Sequence, residues 1–279
     1  MRTRTGLCVA LLLGAACAAL VAAPRPVTLS TTTSVQDTGL LDALLPDFER
    51  QTEIDVKVIA VGTGQALELA RRGDADVALV HAPDLEREFI RQGHSAGHWR
   101  LMFNYFVIVG PAKDPAKVGS ASTAAQAMKR IADAKAPFVS RGDKSGTNQK
   151  ELALWKAAKV KPAGDWYIEA GSGMAATLRL ADEKDAYTLS DIGTYLSQKS
   201  HLRLLVLYQR GGELLNQYSL MAVSPNKHPS VNYDGGMRLI RYFLAPATLK
   251  RIAAFGVDRF GQALFQVYRS AEPGRRAPR

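Results

Sequence analysis

The sequence predicts an α/β fold in two lobes, one of them discontinuous along the chain. Short apolar segments alternate with amphipathic ones, which is typical of a sheet whose strands are joined by crossover helices. Two β-rich segments, 104–111 and 216–225, each run from an Asn and a Tyr to a Pro. With 279 residues, 47% of them hydrophobic and 22% charged, the chain is long enough to bury a core in each lobe.

The elements of the first part are predicted in the order βαβαβα. Each strand is a short apolar run, and these runs occur at 27–30, 55–61 and 75–80. Each helix repeats apolar residues at helical spacing, as at Leu41, Leu44, Leu45 and Phe48, and these helices are predicted at 40–50, 65–72 and 85–92. Two further helices are predicted at 148–158 and 174–182.

The two similar β-rich segments predict that the chain crosses into a second lobe and later returns. The first lobe would then comprise 24–107 and 216–279, and the second lobe 108–215. The two crossings would form a hinge. Two similar core strands in a single sheet are the alternative.

The N-terminus has the pattern of a cleaved export signal. Arg2 and Arg4 precede an apolar run over 6–23, which ends in Val-Ala-Ala, the small-residue pattern that signal peptidase requires. We therefore expect residues 1–23 to be a signal peptide and the mature protein to be exported, to the periplasm or beyond. A permanent membrane anchor is the alternative, because the run is just long enough to span a bilayer.

Both cysteines, Cys8 and Cys17, lie in this segment, so the exported domain would have no disulfide and no thiolate metal site. A variant of this interpretation places a lipid anchor on Cys17, although Gly14 is atypical of that motif. The net charge of +10 is compatible with steering small anions or with a solvated surface. Lys and Arg are scattered, without the aromatic-studded basic stripe of nucleic-acid-binding proteins, so no nucleic-acid partner is expected.

Four clusters of Gly, Ser and Thr follow a predicted strand or turn and lead into a predicted helix. They lie at 30–34, 62–64, 140–147 and 171–173. A helix N-terminus offers unpaired N–H groups and partial positive charge, and Ser and Thr hydroxyls add further donors. Any one cluster is explained by ordinary helix capping. Four together, two in each lobe, predict a cleft for a small oxyanion.

Arg141 lies within the third cluster and is the candidate fixed charge of this cleft. Its alternative role is a surface or interlobe salt bridge, for example with Asp143.

Competing motifs are incomplete. The segment 62–64 gives G-x-G without the third Gly of a dinucleotide site, and 142–145 lacks the P-loop spacing. His94 and His98 have no obvious third metal ligand, and His81 is the only histidine placed to serve as a catalytic base, although packing in its loop is the favoured role. We therefore expect no cofactor, no metal ion and no enzymatic activity.

Several motifs together resemble one family, the tungstate-binding proteins of ABC importers (TupA type). They are TTTSVQDTGLL (31–41), VGTGQA (61–66), GDADV (73–77), VHAP (80–83), NYFVIVGP (104–111), SRGD (140–143), SGT (145–147) and AYTLSD (186–191). The resemblance implies a type II periplasmic binding protein fold, with two α/β lobes on two hinge strands. It also implies closure over a tetrahedral oxyanion and delivery to a membrane permease of an ABC transporter.

Carried over position by position, the resemblance implies a set of ligand-binding residues from three of the loops. These are Thr32, Thr33, Ser34, Thr63, Gly64, Arg141, Ser145, Gly146 and Thr147. Two positions depart from the pattern, because Asn148 stands where we expect His and Ile192 where we expect Arg. Affinity or selectivity is expected to differ if the missing Arg contributes to binding or closure.

The expected ligand is tungstate, with molybdate as a possible second ligand. Both are fully deprotonated at neutral pH and need only donors, whereas phosphate keeps a proton and needs an acceptor such as a carboxylate. Asp37 and Asp191 are the candidate acceptors: a carboxylate that faces the ligand would favour phosphate, and two helix-capping carboxylates would disfavour it. The residues also leave open a sulfate-binding protein, a ligand-sensing receptor, and an exported enzyme with His81 as base.

Overall fold

The computed structural model describes residues 24–268, and the structural statements that follow concern this range. The predicted signal peptide, with the possible lipid attachment at Cys17, lies outside it. No helix within 24–268 combines the length and apolarity needed to cross a membrane.

The chain up to the first long strand alternates strands and helices, as predicted. Its elements are β1 (Val27–Thr32), α1 (Thr33–Asp37), α2 (Leu40–Thr52), β2 (Val56–Val61), α3 (Thr63–Arg72), β3 (Val77–Val80), α4 (Pro83–Arg91) and β4 (Ser95–Gly110).

The middle of the chain continues with α5 (Ala124–Asp133), β5 (Phe138–Ser140), α6 (Gly146–Ala157), β6 (Tyr167–Glu169), α7 (Met174–Glu183), β7 (Thr188–Asp191), α8 (Ile192–Gln198) and β8 (Leu205–Tyr208). The last part comprises β9 (Leu215–Val223), α9 (Tyr233–Leu244), α10 (Pro246–Ala254), α11 (Val257–Phe260) and β10 (Gln266–Val267). Short 3-10 turns lie at Val118–Ser120, Lys199–His201 and Gly212–Leu214.

The fold is α/β with two lobes, and their sheets have the same strand order. In the first lobe β2, β1 and β3 run parallel, and β9 pairs antiparallel with β3. In the second lobe β6 and β5 run parallel. A parallel bridge between Phe138 of β5 and Tyr187, the residue before β7, brings β5 beside β7, and β4 pairs antiparallel with β7. Each sheet therefore has a switch point, between β1 and β3 and between β5 and β7, where ligands of α/β proteins bind.

The long strands β4 and β9 connect the lobes. They pair antiparallel from Ser95–Val223 to Tyr105–Leu215, with Asn104 directly opposite Asn216. Beyond Tyr105, β4 instead pairs with β7 and β8. The predicted crossing segments thus lie on adjacent strands, and the lobe boundaries at 107/108 and 215/216 stay a proposal.

The apolar faces of the helices pack against the sheets, as the sequence pattern predicts. The apolar residues predicted for the helix at 40–50, which is α2 in the structure, are all buried together with Leu40. Residues of α9 and α10 belong to the same core.

Three predicted helix starts were two residues late: α3 begins at Thr63, α4 at Pro83 and α6 at Gly146, rather than Asn148. For α6 the reason is that Ser145 is its N-cap, and the Ser145 Oγ accepts a hydrogen bond from the Asn148 amide at 3.3 Å.

Candidate functional site

The site begins at the switch point of the first lobe. Thr32 caps α1, its Oγ1 accepting from the Val35 amide, and its hydroxyl lies 3.1 Å from that of Ser34. His81 follows β3, and its Nε2 lies 3.2 Å from the Ser34 Oγ. Both Ser34 and His81 are buried. The loops that follow β1 and β3 therefore bring their polar side chains into contact, because these two strands are neighbours in the sheet.

The hinge strands supply the next layer of this polar group. Asn216 Oδ1 lies 2.9 Å from His81 Nδ1, and Asn216 Nδ2 donates to Asn104 Oδ1 and to the Tyr218 hydroxyl, both at 2.9 Å. His81 also stacks on Tyr218 with ring centroids 4.8 Å apart. His81 is thus held by the hinge rather than free to act as a catalytic base toward solvent.

Burial keeps the His81 imidazole neutral. Desolvation is the main cause that lowers its pKa to about 4, and the charge of Arg141 lowers it further, against a hydrogen bond to Asn216. A neutral ring has one N–H and one lone pair, so its two hydrogen bonds must run in one sense or the other.

Arg141 is the charge of the second lobe. Its side chain is 4% exposed, and both Nε (at 3.1 Å) and Nη2 donate to the Asp143 Oδ2. Asp143 Oδ1 accepts in turn from the Ser145 amide at 3.1 Å. The ion pair considered as the alternative therefore exists, and it fixes the guanidinium beside the start of α6.

Asn148, one of the two departures, braces the Arg141 loop. Its Oδ1 accepts from the Lys144 amide at 3.1 Å, and its Nδ2 donates to the Ser140 Oγ at 3.3 Å. Ser140 donates to the buried Glu151 at 2.7 Å. Asn148 points into the loop and supports its shape.

Asp191 and Ile192 begin α8 at the second switch point. Asp191 is the N-cap, and its Oδ1 and Oδ2 accept from the Thr194 amide and hydroxyl at 2.8 and 2.7 Å. Ile192, the other departure, is buried in the apolar core. Asp191 is therefore a capping carboxylate, as the donor-only site requires.

Asp37, the other candidate proton acceptor, differs from Asp191. It is the exposed last residue of α1 and does not cap a helix. Partial burial raises its pKa, while the charges of Arg141 and Arg179 lower it. Of the two candidate proton acceptors, Asp37 is thus the one that does not cap a helix, and its carboxylate is close enough to Arg141 for that charge to lower its pKa.

The two lobes touch where Gly146 faces the first lobe. A Cβ on residue 146 would lie 3.2 Å from both the His81 Cε1 and the Thr63 Oγ1. Thr63 begins α3, and Thr147 follows Gly146 in α6. The hydroxyls of Thr63 and Thr147 are buried and have no hydrogen-bond partner within residues 24–268. An unpaired buried hydroxyl is costly, which makes these two the candidate donors to a ligand.

The remaining predicted residues lie at helix starts. Thr33 and Gly64 hold the first and second positions of α1 and α3, whose amides have no partner inside the helix. The fourth loop, 171–173, precedes α7 with Gly171 and Gly173 exposed. It adds no buried donor to the group around His81 and Arg141.

Sequence reasoning did not single out Asn104 and Asn216, which the structure brings together with His81, although each begins one of the two similar segments. The repeated Asn at the start of both crossings was the available signal. Within the described range, no group of three or more His, Cys, Asp or Glu side chains could hold a metal ion.

A buried neutral histidine has a measurable effect on stability. Because the His81 pKa is about 4 when folded and near 6.5 when unfolded, the unfolded state binds more protons between these values. Stability from this group is complete above pH 6.5 and falls by roughly 3 kcal/mol as the pH drops to 4. Urea unfolding of the wild type and His81→Asn between pH 4 and 7 should show this difference in slope.

Two buried carboxylates act in the opposite sense in this experiment. Burial raises the pKa of Asp191 and of Glu151, so each favours the folded state more as the pH falls. Both are present in wild type and variant, and the difference between the two proteins isolates His81. Equal pH dependence in both would show that folding does not shift the pKa of His81, so that the ring titrates alike in the folded and unfolded protein.

Comparisons with known proteins agree with the two-lobed α/β fold. The family model of the PBP superfamily domain matches residues 20–247. The chain is 44% identical to the tungstate-binding protein TupA of Peptoclostridium acidaminophilum, over 85% of this chain and 84% of that protein. It resembles the crystal structure of the tungstate ABC transporter protein from Geobacter sulfurreducens, with 51% identity, a TM-score of 0.76, and coverage of 83% and 98%. It also resembles TupA from Desulfovibrio alaskensis G20, with 40% identity, a TM-score of 0.76, and coverage of 89% and 100%.

Proposed function

This chain belongs to the PBP superfamily and, within it, to the TupA family of tungstate-binding proteins, and from that premise we propose that it captures tungstate for an ABC importer. The resemblance inferred from the motifs is thereby confirmed. The protein would bind the oxyanion outside the membrane and present it to a permease. Molybdate, of the same charge and shape, is the second ligand of this proposal.

The observation that carries the proposal is a set of buried groups where the lobes meet that can each donate a hydrogen bond. Thr63 and Thr147 each offer an unpartnered hydroxyl. Arg141 brings a buried positive charge. The first amides of α3 and α6 add N–H groups with no helical partner. A fully deprotonated dianion needs only donors, and this set supplies donors and charge.

Binding would act through closure of the lobes. Gly146 of the second lobe meets Thr63 and His81 of the first, so a ligand held by both lobes favours the closed form. The free energy of ligand contacts made only in that form drives the shift. A permease that contacts both lobes would distinguish the closed protein from the open one.

We also propose that residues 1–23 are a signal peptide and that the mature protein works in the periplasm or on the cell exterior. The lobes would be 24–107 with 216–279, and 108–215. The proposed ligand set is that implied by the family motifs: Thr32, Thr33, Ser34, Thr63, Gly64, Arg141, Ser145, Gly146 and Thr147.

The proposal is tested by isothermal titration of the ligand-stripped mature protein with tungstate, molybdate, sulfate and phosphate. We expect tungstate to bind and phosphate, which retains a proton, not to bind at the same concentrations. Asp37→Asn tests the phosphate alternative: under that alternative, with Asp37 as the acceptor, the variant would lose phosphate binding, whereas tungstate binding should be unchanged or stronger in either case. Binding of phosphate in preference to tungstate would overturn the assignment.

A further inference from the structure

A continuous series of hydrogen bonds joins the hinge to the first loop of the site. Asn216 bonds to the Tyr218 hydroxyl and, through Oδ1, to His81 Nδ1, each at 2.9 Å. His81 Nε2 lies 3.2 Å from the Ser34 Oγ, which lies 3.1 Å from the Thr32 Oγ1. Every group in this series can donate or accept. The series can therefore run in either sense with its heavy atoms in place.

In the sense shown by the structure, Ser34 faces the site as an acceptor. Because Asn216 Oδ1 accepts from His81, the ring proton is on Nδ1. The lone pair on Nε2 then takes the Ser34 hydroxyl hydrogen. The Ser34 oxygen is left with lone pairs only, which repel an oxyanion. The family motif, in contrast, makes Ser34 a ligand donor.

The reversed sense removes this conflict. Turning the Asn216 amide end for end lets Nδ2 donate to His81 Nδ1 and Oδ1 accept from the Tyr218 hydroxyl. The ring then carries its proton on Nε2 and donates it to the Ser34 Oγ. The Ser34 hydroxyl hydrogen is released toward the site. The imidazole stays neutral, because the proton lost at Nδ1 is balanced by the proton gained at Nε2; both exchanges require water at the ring, which an open form of the protein would have to admit.

The hinge partner Asn104 favours the reversal. Its Nδ2 is buried and has no hydrogen-bond partner within residues 24–268. It lies 3.7 Å from a Cβ built on Gly193 at the start of α8, and the Asp191 Oδ1 lies 3.2 Å from the same point. Turning Asn104 together with Asn216 keeps their mutual hydrogen bond, with Asn104 Nδ2 now the donor to Asn216 Oδ1. A buried unpaired N–H is rarer than an under-satisfied carbonyl oxygen, so the reversed sense has the better polar pairing.

We propose that His81 is a positioning residue that acts through Ser34: with Asn104 and Asn216 it forms a relay that reverses when the oxyanion binds, so that Ser34 donates to the ligand. This inference rests on the proposed function and names a role for the hinge pair within it. The relay ties the occupancy of the site to the two strands about which the lobes close.

The tautomer of His81 gives a direct test by nitrogen NMR. In protein labelled with 15N-histidine, we expect His81 to carry its proton on Nδ1 in the ligand-free form and on Nε2 after titration with tungstate; the same tautomer in both forms would overturn the reversal. The signal is assigned by its loss in His81→Gln. A bound form with the proton on Nδ1 would overturn the relay, because Ser34 would then remain an acceptor.

Two variants test the contributions of the two His81 ring nitrogens separately. His81→Asn places an amide near the Nδ1 position and keeps the contact to Asn216, whereas His81→Gln reaches toward Ser34. In the wild type, Ser34→Ala is expected to weaken tungstate binding about tenfold, the loss of one hydrogen bond to a charged group. In the His81→Asn background the same change is expected to cost less than about twofold, since Ser34 is no longer oriented. In the His81→Gln background most of the effect should return.

The same titrations distinguish a packing role from the relay. Equal effects of Ser34→Ala in all three backgrounds would mean that His81 has a packing role only, and would overturn the relay while leaving tungstate binding intact. Wild-type protein that does not bind tungstate would overturn the proposed function, and the relay with it. Thermal unfolding of each variant confirms that the compared proteins are folded.

Discussion

Arg141→Ala is expected to weaken tungstate binding by on the order of 10²–10³-fold. Arg141 is the buried cation of the site, and hydrogen bonds from charged donors contribute about 1.5–3 kcal/mol each. A dianion can take two such bonds from one guanidinium. The variant would also leave Asp143 without its partner, adding a negative charge beside the ligand. Isothermal titration of the wild type and variant measures the loss.

Two further substitutions interpret this result. Arg141→Lys keeps the charge but loses the planar pair of donors, so we expect an intermediate loss of affinity. Arg203→Ala removes an exposed arginine that pairs with Asp182 and Asp185, and it should leave binding unchanged. An Arg141→Ala protein that binds as tightly as Arg203→Ala would show that Arg141 serves only its ion pair with Asp143.

Gly146→Ala is expected to weaken binding roughly tenfold to a hundredfold by opposing closure. The new methyl group would lie 3.2 Å from the His81 Cε1 and from the Thr63 Oγ1, atoms of the opposite lobe, and overpacking typically costs about 1–3 kcal/mol. Ala also favours a helix more than Gly by about 0.5–1 kcal/mol. The ligand-free protein should therefore be no less stable in its open form, which separates a closure effect from misfolding.

The matched control is Gly212→Ala, because a Cβ at that exposed position meets no atom within 4 Å. Small-angle scattering with and without tungstate measures closure directly. The wild type and Gly212→Ala should contract on binding at the same tungstate concentration, and Gly146→Ala should need a higher one. Equal affinity of all three proteins would mean that the contact at Gly146 is not made in the bound form.

Local patterns predicted most of the fold. The apolar spacing of Leu41, Leu44, Leu45 and Phe48 defined α2, and the Ser/Thr/Gly clusters located the starts of α3 and α6. These features depend on residues close in sequence, where helical spacing and capping operate.

Features of the site that depend on distant residues were not predictable in this way. Asn216 and His81 are 135 positions apart, and Asn104 and Asn216 are 112 apart, yet they form one hydrogen-bonded group. No spacing rule relates them, because the strand order alone brings them together. The sequence also could not show whether Arg141 forms an ion pair with Asp143. The two residues are close along the chain, but only the structure shows that the Asp143 carboxylate faces the guanidinium.

The departures from the family pattern are explained only by packing. Asn148 replaces the expected His and satisfies the Lys144 amide and the Ser140 hydroxyl, so it preserves the loop. Ile192 replaces the expected Arg with an apolar side chain that is buried in the core, so the charge expected there is absent from this chain. Arg141 therefore carries a larger share of the positive charge that a dianion would meet.

The pairing of the two hinge strands also bears on how such a protein could be dissected genetically. Tyr105 and Leu215 are cross-strand neighbours, and the chain between them comprises the end of β4 and the elements from α5 to β8. Deleting 106–214 and joining the cut ends with a short turn would convert β4 and β9 into an ordinary β-hairpin. The first lobe could thus be expressed as one continuous polypeptide, a half-receptor that displays Thr63 and Ser34 without their opposing surface.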